Sequence, residues 1–255
     1  MKKFLSIITT CCILLSSCDK NGLNISSGVD ASGDAQLKVN FFSSYRANPG
    51  YQVKINDARV SNVLTYVTPF PGGGLNTGGG STADYLAVNG GNAKVSIAFP
   101  KAGTNEDSLK VSDTTVALEA GKKYSLYFAD TAAKTTKLLV MDTLSAPDSG
   151  FAKYKFINLI PDLAALDLYI GSIKVASNIP YKGVSPSFTV PTNSASTTWA
   201  IRPAGAASTT TALNTYANAS SIGNQRVYTV VARGYNSVTA TTDPRRRWIS
   251  LIYNQ

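Results

Sequence analysis

The sequence repeats itself at long range, and that duplication limits the fold more than any other feature. Phe41 matches Phe156, and Val53-Lys54-Ile55 matches Leu168-Tyr169-Ile170. Ser61-Asn62-Val63-Leu64-Thr65-Tyr66 matches Ser177-Asn178-Ile179-Pro180-Tyr181 with one residue missing, each match offset by about 115 positions. Further on the offset contracts. Phe99-Pro100-Lys101-Ala102-Gly103 pairs with Arg202-Pro203-Ala204-Gly205, and Lys123-Tyr124-Ser125-Leu126-Tyr127 with Val227-Tyr228-Thr229-Val230-Val231. An insert in the first copy around Pro69 to Ser81 (PFPGGGLNTGGGS) accounts for the difference. Solenoid units run to about 20–50 residues, so a period this long marks a duplicated domain. Each copy, about a hundred residues, has the size of a small β-sandwich. The expected domains are 35–146 and 150–255, joined by Ser145-Ala146-Pro147-Asp148-Ser149-Gly150.

Within each copy the pattern is strand-like. Tyr51, Val53 and Ile55 alternate with Gln52, Lys54 and Asn56. Val95, Ile97 and Phe99 alternate with Lys94, Ser96 and Ala98, and Leu166, Leu168 and Ile170 with Asp167, Tyr169 and Gly171. Period-two alternation predicts one face in a core and one in water. Long helical periodicity is absent, and Gly, Pro, Asn and Asp punctuate the chain at short intervals. The predicted class is all-β, two tandem sandwiches.

The first seventeen residues read as a secretion signal. Lys2 and Lys3 form a positive n-region, and Phe4 to Leu15 supply an apolar stretch too short for a comfortable membrane span. Leu15-Ser16-Ser17-Cys18 resembles the bacterial lipobox, which implies cleavage before Cys18 and acylation of its sulfur and new amino terminus. Two or more acyl chains anchor a protein stably where one does not. Residues 18–34, rich in Gly, Ser, Asn and Asp, then read as a flexible tether.

All three cysteines lie at or before Cys18, so no disulfide is expected within the domains, and stability must come from apolar cores. The sequence contains no histidine, which excludes Ser-His-Asp and Cys-His catalysis and histidine metal sites. Only two glutamates, Glu106 and Glu119, are available for acid–base work. Loss of Lys2 and Lys3 with the signal leaves 22 Lys plus Arg against 15 Asp plus Glu, a balance of +7 spread thinly along the chain. This reads as solubility; for an exported chain no nucleic-acid partner is expected.

The second copy carries a family resemblance. Phe156-Ile157-Asn158-Leu159-Ile160-Pro161-Asp162, Leu166-Asp167-Leu168-Tyr169-Ile170, Val175-Ala176-Ser177-Asn178-Ile179 with Tyr181, Val184-Ser185-Pro186 and Ile201-Arg202-Pro203-Ala204-Gly205 together resemble the domain of unknown function DUF4397. That family is common in secreted and lipid-anchored proteins, notably in Bacteroidota, often as tandem copies. The resemblance implies an immunoglobulin-like or transthyretin-like sandwich and an envelope location; it supplies no activity and no site residues. The first copy departs from the pattern. Gln52 stands where Asp167 would be, and Ser43 to Asn48 lacks the Asn-x-x-Pro-Asp turn, so its assignment rests on the internal repeat.

Four features are candidates for function. Asp162 and Asp167 are the only paired carboxylates in a motif-like block, as a glycosidase would need them; the simpler reading is a turn cap and a solvent-facing strand residue. The glycine-rich insert, with Gly73 and Asn76, lacks the Lys-Ser/Thr ending of a phosphate loop. It reads as a mobile loop at a sandwich end, where contacts are often made. Arg245-Arg246-Arg247-Trp248 is the sharpest charge cluster, suited to an acidic glycan, a lipid headgroup or a partner's acidic face. Its simpler reading is a basic turn leading into the last strand with Trp248 in the core. Asp107-Ser108-Leu109, Asp113-Thr114-Thr115, Asp130-Thr131-Ala132 and Asp142-Thr143-Leu144 resemble Bacteroidota O-glycosylation sequons.

The expected function is that of a non-enzymatic envelope lipoprotein, anchored to the outer membrane through Cys18 and binding a glycan or surface protein. No cofactor, metal or catalytic residue is expected. The alternative is a structural, pilus-like subunit whose C-terminal strand pairs with a neighbour's sheet edge, and a more remote one is a carboxylate-dependent hydrolase using Asp162 and Asp167.

Overall fold

The computed structural model describes residues 33–102, 104, 106–142 and 145–255; the expected signal, Cys18 and most of the expected tether lie outside these residues, as does Thr143. Nearly all of the regular structure is β. The first copy contributes β1 (Asp34–Phe41), β2 (Gln52–Ile55), β3 (Ala58–Arg59), β4 (Gly74–Leu75), β5 (Leu86–Asn89), β6 (Gly91–Pro100), β7 (Asp107–Leu118), β8 (Lys123–Ala129) and β9 (Thr136–Met141). The second contributes β10 (Phe151–Leu159), β11 (Ala165–Ile170), β12 (Ile173–Pro180), β13 (Phe188–Pro191), β14 (Thr198–Pro203), β15 (Asn214–Ala217), β16 (Val227–Arg233) and β17 (Trp248–Tyr253).

The duplication is visible in the sheet orders. The first copy forms sheets β5-β1-β8-β9 and β3-β2-β6-β7; the second forms β13-β10-β16-β17 and β12-β11-β14-β15, the same order strand for strand. In both copies the opening strand runs parallel to the strand before the last, β1 beside β8 and β10 beside β16. Each sandwich closes on its own apolar core. Leu37, Val39, Phe41, Tyr51, Val53, Val95, Ile97, Leu126 and Phe128 fill the first. Tyr154, Phe156, Leu166, Leu168, Trp199, Ile201, Val230 and Leu251 fill the second.

The two sandwiches pack face to face. On β1, Leu37, Val39 and Phe41 enter the first core while the alternating Lys38 and Asn40, and Phe42 just past the strand, are also buried. On β16, Tyr228, Val230 and Ala232 enter the second core while Thr229, Val231 and Arg233 are buried too. Phe42, Tyr127, Ala129 and Val140 of the first copy meet Ile157, Leu159, Val231 and Ile252 of the second in a third apolar cluster. At about 1.5–3 kcal/mol for each large apolar side chain buried, this seam is worth on the order of 10 kcal/mol, enough to make two domains one body. The result is four stacked sheets. The expectation that one strand face meets water therefore fails for β1, β8, β10, β16 and β17, whose second faces are covered by the other copy.

The glycine-rich insert also departs from its expected form. It is not a loop at a sandwich end: its β4 segment crosses the seam and pairs antiparallel with β17, Gly74 opposite Ile252 and Leu75 opposite Leu251, making a fifth strand of the second copy's sheet. The Tyr253 N–H donates to the Gly73 carbonyl (3.1 Å), Asn76 Nδ2 to the Ile249 carbonyl (2.6 Å) and Ser250 Oγ to the Asn76 carbonyl (2.9 Å). Close backbone approach explains the glycines. A Cβ on Gly73 would sit 1.5 Å from the Gly80 carbonyl oxygen and one on Gly74 2.2 Å from that of Leu251.

Candidate functional site at the seam

The seam opens at two ends. At the end where β8 begins and β17 finishes lies a cavity of about 420 Å³ bordered by Lys122, Lys123, Met141, Asp142 and Asn254. Behind it is a buried polar network. Lys38, fully buried, donates to the Tyr253 carbonyl across the seam and lies 4.3 Å from the Tyr85 ring centre. Burial pushes its ammonium down to about 8, against the pull of Asp142 and Asp84 and with that of Lys123. Asp142, raised by burial, accepts from Ser125 Oγ (2.6 Å) and the Tyr85 hydroxyl (3.0 Å). Asn254 donates to that same hydroxyl (3.1 Å) and accepts from Thr229 Oγ1 (2.9 Å). Every member of this network has a partner, so it reads as an interlock between the copies.

The opposite end, where β1 and β16 finish, is different. A pocket of about 190 Å³ is lined by Asn48, Thr65, Tyr66 and Val67 of the first copy and Arg233, Pro244 and Trp248 of the second. Arg233 is 5% exposed and its guanidinium makes two hydrogen bonds, Nε to Ser250 Oγ (2.9 Å) and a long one to the Asn76 carbonyl (3.4 Å). It lies 5.6 Å from both the Phe42 and Trp248 ring centres. Arg246 stacks closer on Trp248, at 3.8 Å. Burial, and beyond it the neighbouring Arg246 charge, push Arg233 down to about 10, with Tyr66 acting the other way; it stays charged at neutral pH.

The arginine cluster read from the sequence is thus split among three tasks. Arg245 clasps Asp243 with two side-chain hydrogen bonds (3.0 and 2.7 Å) and shapes its own turn. Arg247 donates to Asn236 Oδ1 (2.8 Å) and braces the same loop. Arg246 alone joins Trp248. Trp248 is half-buried at the seam, not in the sandwich core as the simpler reading had it; the core tryptophan is Trp199, fully buried with its Nε1 on Ser221 Oγ (2.9 Å). Gly73 and Asn76 are spent on the β4–β17 junction, although the Asn76 carbonyl does reach Arg233. Arg233 itself was missed: as the last residue of an alternating strand it looks like any solvated end.

Asp162 and Asp167 do not converge on a cleft. Asp162 accepts from the Asn236 and Ser237 N–H groups (2.7 Å each) and pins the loop that carries the arginines. Asp167 is fully buried, not solvent-facing, and accepts from Lys174 Nζ (2.6 Å), Asn178 N–H (2.7 Å) and Gly205 N–H (3.1 Å). Burial alone would raise both carboxyls; for Asp162 the backbone donors outweigh it, and for Asp167 the Lys174 ammonium and backbone donors do, holding both below the usual carboxylate range. Among the sequon hydroxyls, Ser108 is exposed on β7, Thr114 and Thr131 are half-buried, and Thr143 lies outside the described residues. No group of three or more Asp, Glu, Cys or His capable of holding a metal occurs among the described residues.

Fold and pocket together define a class: a duplicated β-sandwich protein fused back to back, with a basic, aromatic-lined opening in the fusion seam. The family model described as a domain of unknown function (DUF4397) matches residues 37–169 and again 152–248, and the chain belongs to that family. The two matches overlap over residues 152–169, the first two strands of the second copy. Among curated proteins, none matches this chain.

Proposed function

We propose that this protein is a lipid-anchored cell-envelope protein of the Bacteroidota type that binds a glycan or a surface protein and performs no catalysis. The observation that carries the reading is the convergence of Arg233, Tyr66 and Trp248, drawn from both copies, on one opening of the seam, with Arg246 stacked on Trp248 beside it. The lipobox-like Leu15-Ser16-Ser17-Cys18 supports acylation at Cys18 and outer-membrane attachment, and the run that follows supports a tether. Among the described residues no helix is long and apolar enough to cross a membrane. Against a hydrolase stands the commitment of Asp162 to the loop at Asn236 and Ser237 and of Asp167 to buried contacts within its own sheet. Against the pilus-like alternative stands the C-terminal strand: β17 is flanked by β16 and β4, so it has no open edge for a neighbour.

The test combines two experiments. Metabolic labelling with a fatty-acid probe should mark the wild type and not Cys18→Ser. A screen of the purified chain against envelope and host glycans and surface proteins should return a ligand whose binding is weakened by Trp248→Ala. A screen without hits, or hits indifferent to Trp248, would sink the binding reading.

A further inference from the structure

Arg233 is a buried cation without an anion. The ion pairs among the described residues all join other groups, and the cation that acts on it at the opening, Arg246, carries the same sign. Removing a guanidinium from water costs several kcal/mol unless charge and hydrogen bonds offset it. Ser250 Oγ and one long contact to the Asn76 carbonyl offset little. The uncompensated groups here share one chemistry. The Tyr66 hydroxyl, close to Ser44 and the Tyr45 backbone, is buried without a hydrogen-bond partner of good geometry, and so is Arg246 Nε. The two guanidiniums can only donate and the phenol can donate as well, and one acceptor-only, negatively charged group would satisfy all three.

We propose that the opening between Tyr66 and Trp248 is a binding site for an oxoanion carried on a saccharide, a uronate carboxylate or a sugar phosphate, with Arg233 and Arg246 as its charge partners and the Tyr66 hydroxyl as a third donor. The proposal rests on the binding-protein reading above and names the ligand chemistry of that same site. The size agrees. At about 190 Å³ the pocket falls below the range of about 300–1,000 Å³ that encloses a drug-sized molecule, so it takes one charged group or one ring of a longer chain. The walls agree as well: Trp248, Pro244 and Val67 offer apolar surface to a sugar ring while the arginines take its charge. Because residues 48 and 65–67 belong to one copy and 233–248 to the other, neither sandwich alone builds the site.

The test uses the purified chain at low salt, with glucuronate, inorganic phosphate and glucose as probes, read by tryptophan fluorescence and by thermal shift. Glucuronate or phosphate should change the fluorescence and raise the melting temperature, while glucose does neither; whichever anion binds more tightly assigns carboxylate or phosphate. Arg233→Met, which exchanges a buried charge for an apolar chain of similar length, should leave the protein folded and weaken anion binding by tenfold or more. Tyr66→Phe removes only a hydroxyl and should weaken it about fivefold, the effect of one hydrogen bond; it serves if the arginine variant does not fold. No response to either anion, or a response unchanged in both variants, overturns the site. A glycan or protein partner from the screen that binds wild type and Arg233→Met equally overturns the oxoanion site and leaves the binding reading standing.

Discussion

The arm that β4 extends across the seam can be cut by a single methyl group. In Gly74→Ala the new Cβ would lie 2.2 Å from the Leu251 carbonyl oxygen, a backbone atom in the middle of β17 that cannot swing aside. The strand must withdraw. Withdrawal forfeits the Tyr253 N–H to Gly73, Asn76 to Ile249 and Ser250 to Asn76 hydrogen bonds, each worth about 1 kcal/mol net. It also exposes Leu75, half-buried against the second core, for about 1 kcal/mol more. The expected loss is about 3–4 kcal/mol, or a fall in melting temperature of about 10 °C for a chain of this length. Gly80→Ala is the matched control. Its Cβ meets nothing within 4 Å, so it should be neutral or slightly stabilising by restricting the unfolded chain. Urea denaturation of the two variants beside wild type provides the readout. Equal stabilities for Gly74→Ala and Gly80→Ala would refute the claim that the insert is an ordered strand of the second copy's sheet.

Three further outcomes follow from the same contacts. Trp199→Ala, which empties a fully buried site and orphans Ser221, should cost about 3–5 kcal/mol, whereas Trp248→Ala at the seam should cost clearly less, both read by chemical denaturation. Asp167 is held below the usual carboxylate range by Lys174 and two backbone donors, so its stabilisation is complete above the unfolded value of about 4 and fades as pH falls through the folded value; Asp167→Asn should be less stable than wild type at neutral pH by about 2–3 kcal/mol, with the gap narrowing in acid. Lys38, lowered to about 8, binds fewer protons folded than unfolded between there and about 10.4, so wild-type stability gains about 2 kcal/mol from this group between about pH 7 and 9.5, before the buried tyrosines act the other way. The stability of wild type relative to Lys38→Met should therefore rise by about 2 kcal/mol between about pH 7 and 9.5, and a difference that stays flat over that range would contradict the burial of that ammonium.

The duplication and the all-β class were legible because both live in local pattern. Tyr51-Val53-Ile55 and Leu166-Leu168-Ile170 alternate as half-buried strands do, and the matched blocks recur in both copies with the same sheet order. What covers the second face of a strand was not legible, since Lys38, Asn40, Thr229 and Arg233 read as solvent-facing letters. A signal did exist in β16, Val227-Tyr228-Thr229-Val230-Val231-Ala232-Arg233, and in β8, Tyr124-Ser125-Leu126-Tyr127-Phe128-Ala129. Both run nearly uncharged, as strands buried on two sides do. The glycines of the insert misled because the residue that gives a mobile loop also lets two backbones touch. The candidate site was half legible: the Arg-Trp cluster stood out, but only the seam brings Arg233 and Tyr66 to it, and they lie far apart in sequence.

The fusion of the two copies into one body is the claim on which the site depends. Scanning calorimetry of the purified chain beside Ile252→Asp, which places a carboxylate in the apolar centre of the seam, tests it most directly. One transition with equal calorimetric and van't Hoff enthalpies in wild type, splitting into two in the variant, is the predicted result. Two separate transitions in wild type would mean that the copies fold and move independently, and the seam site would fall with them.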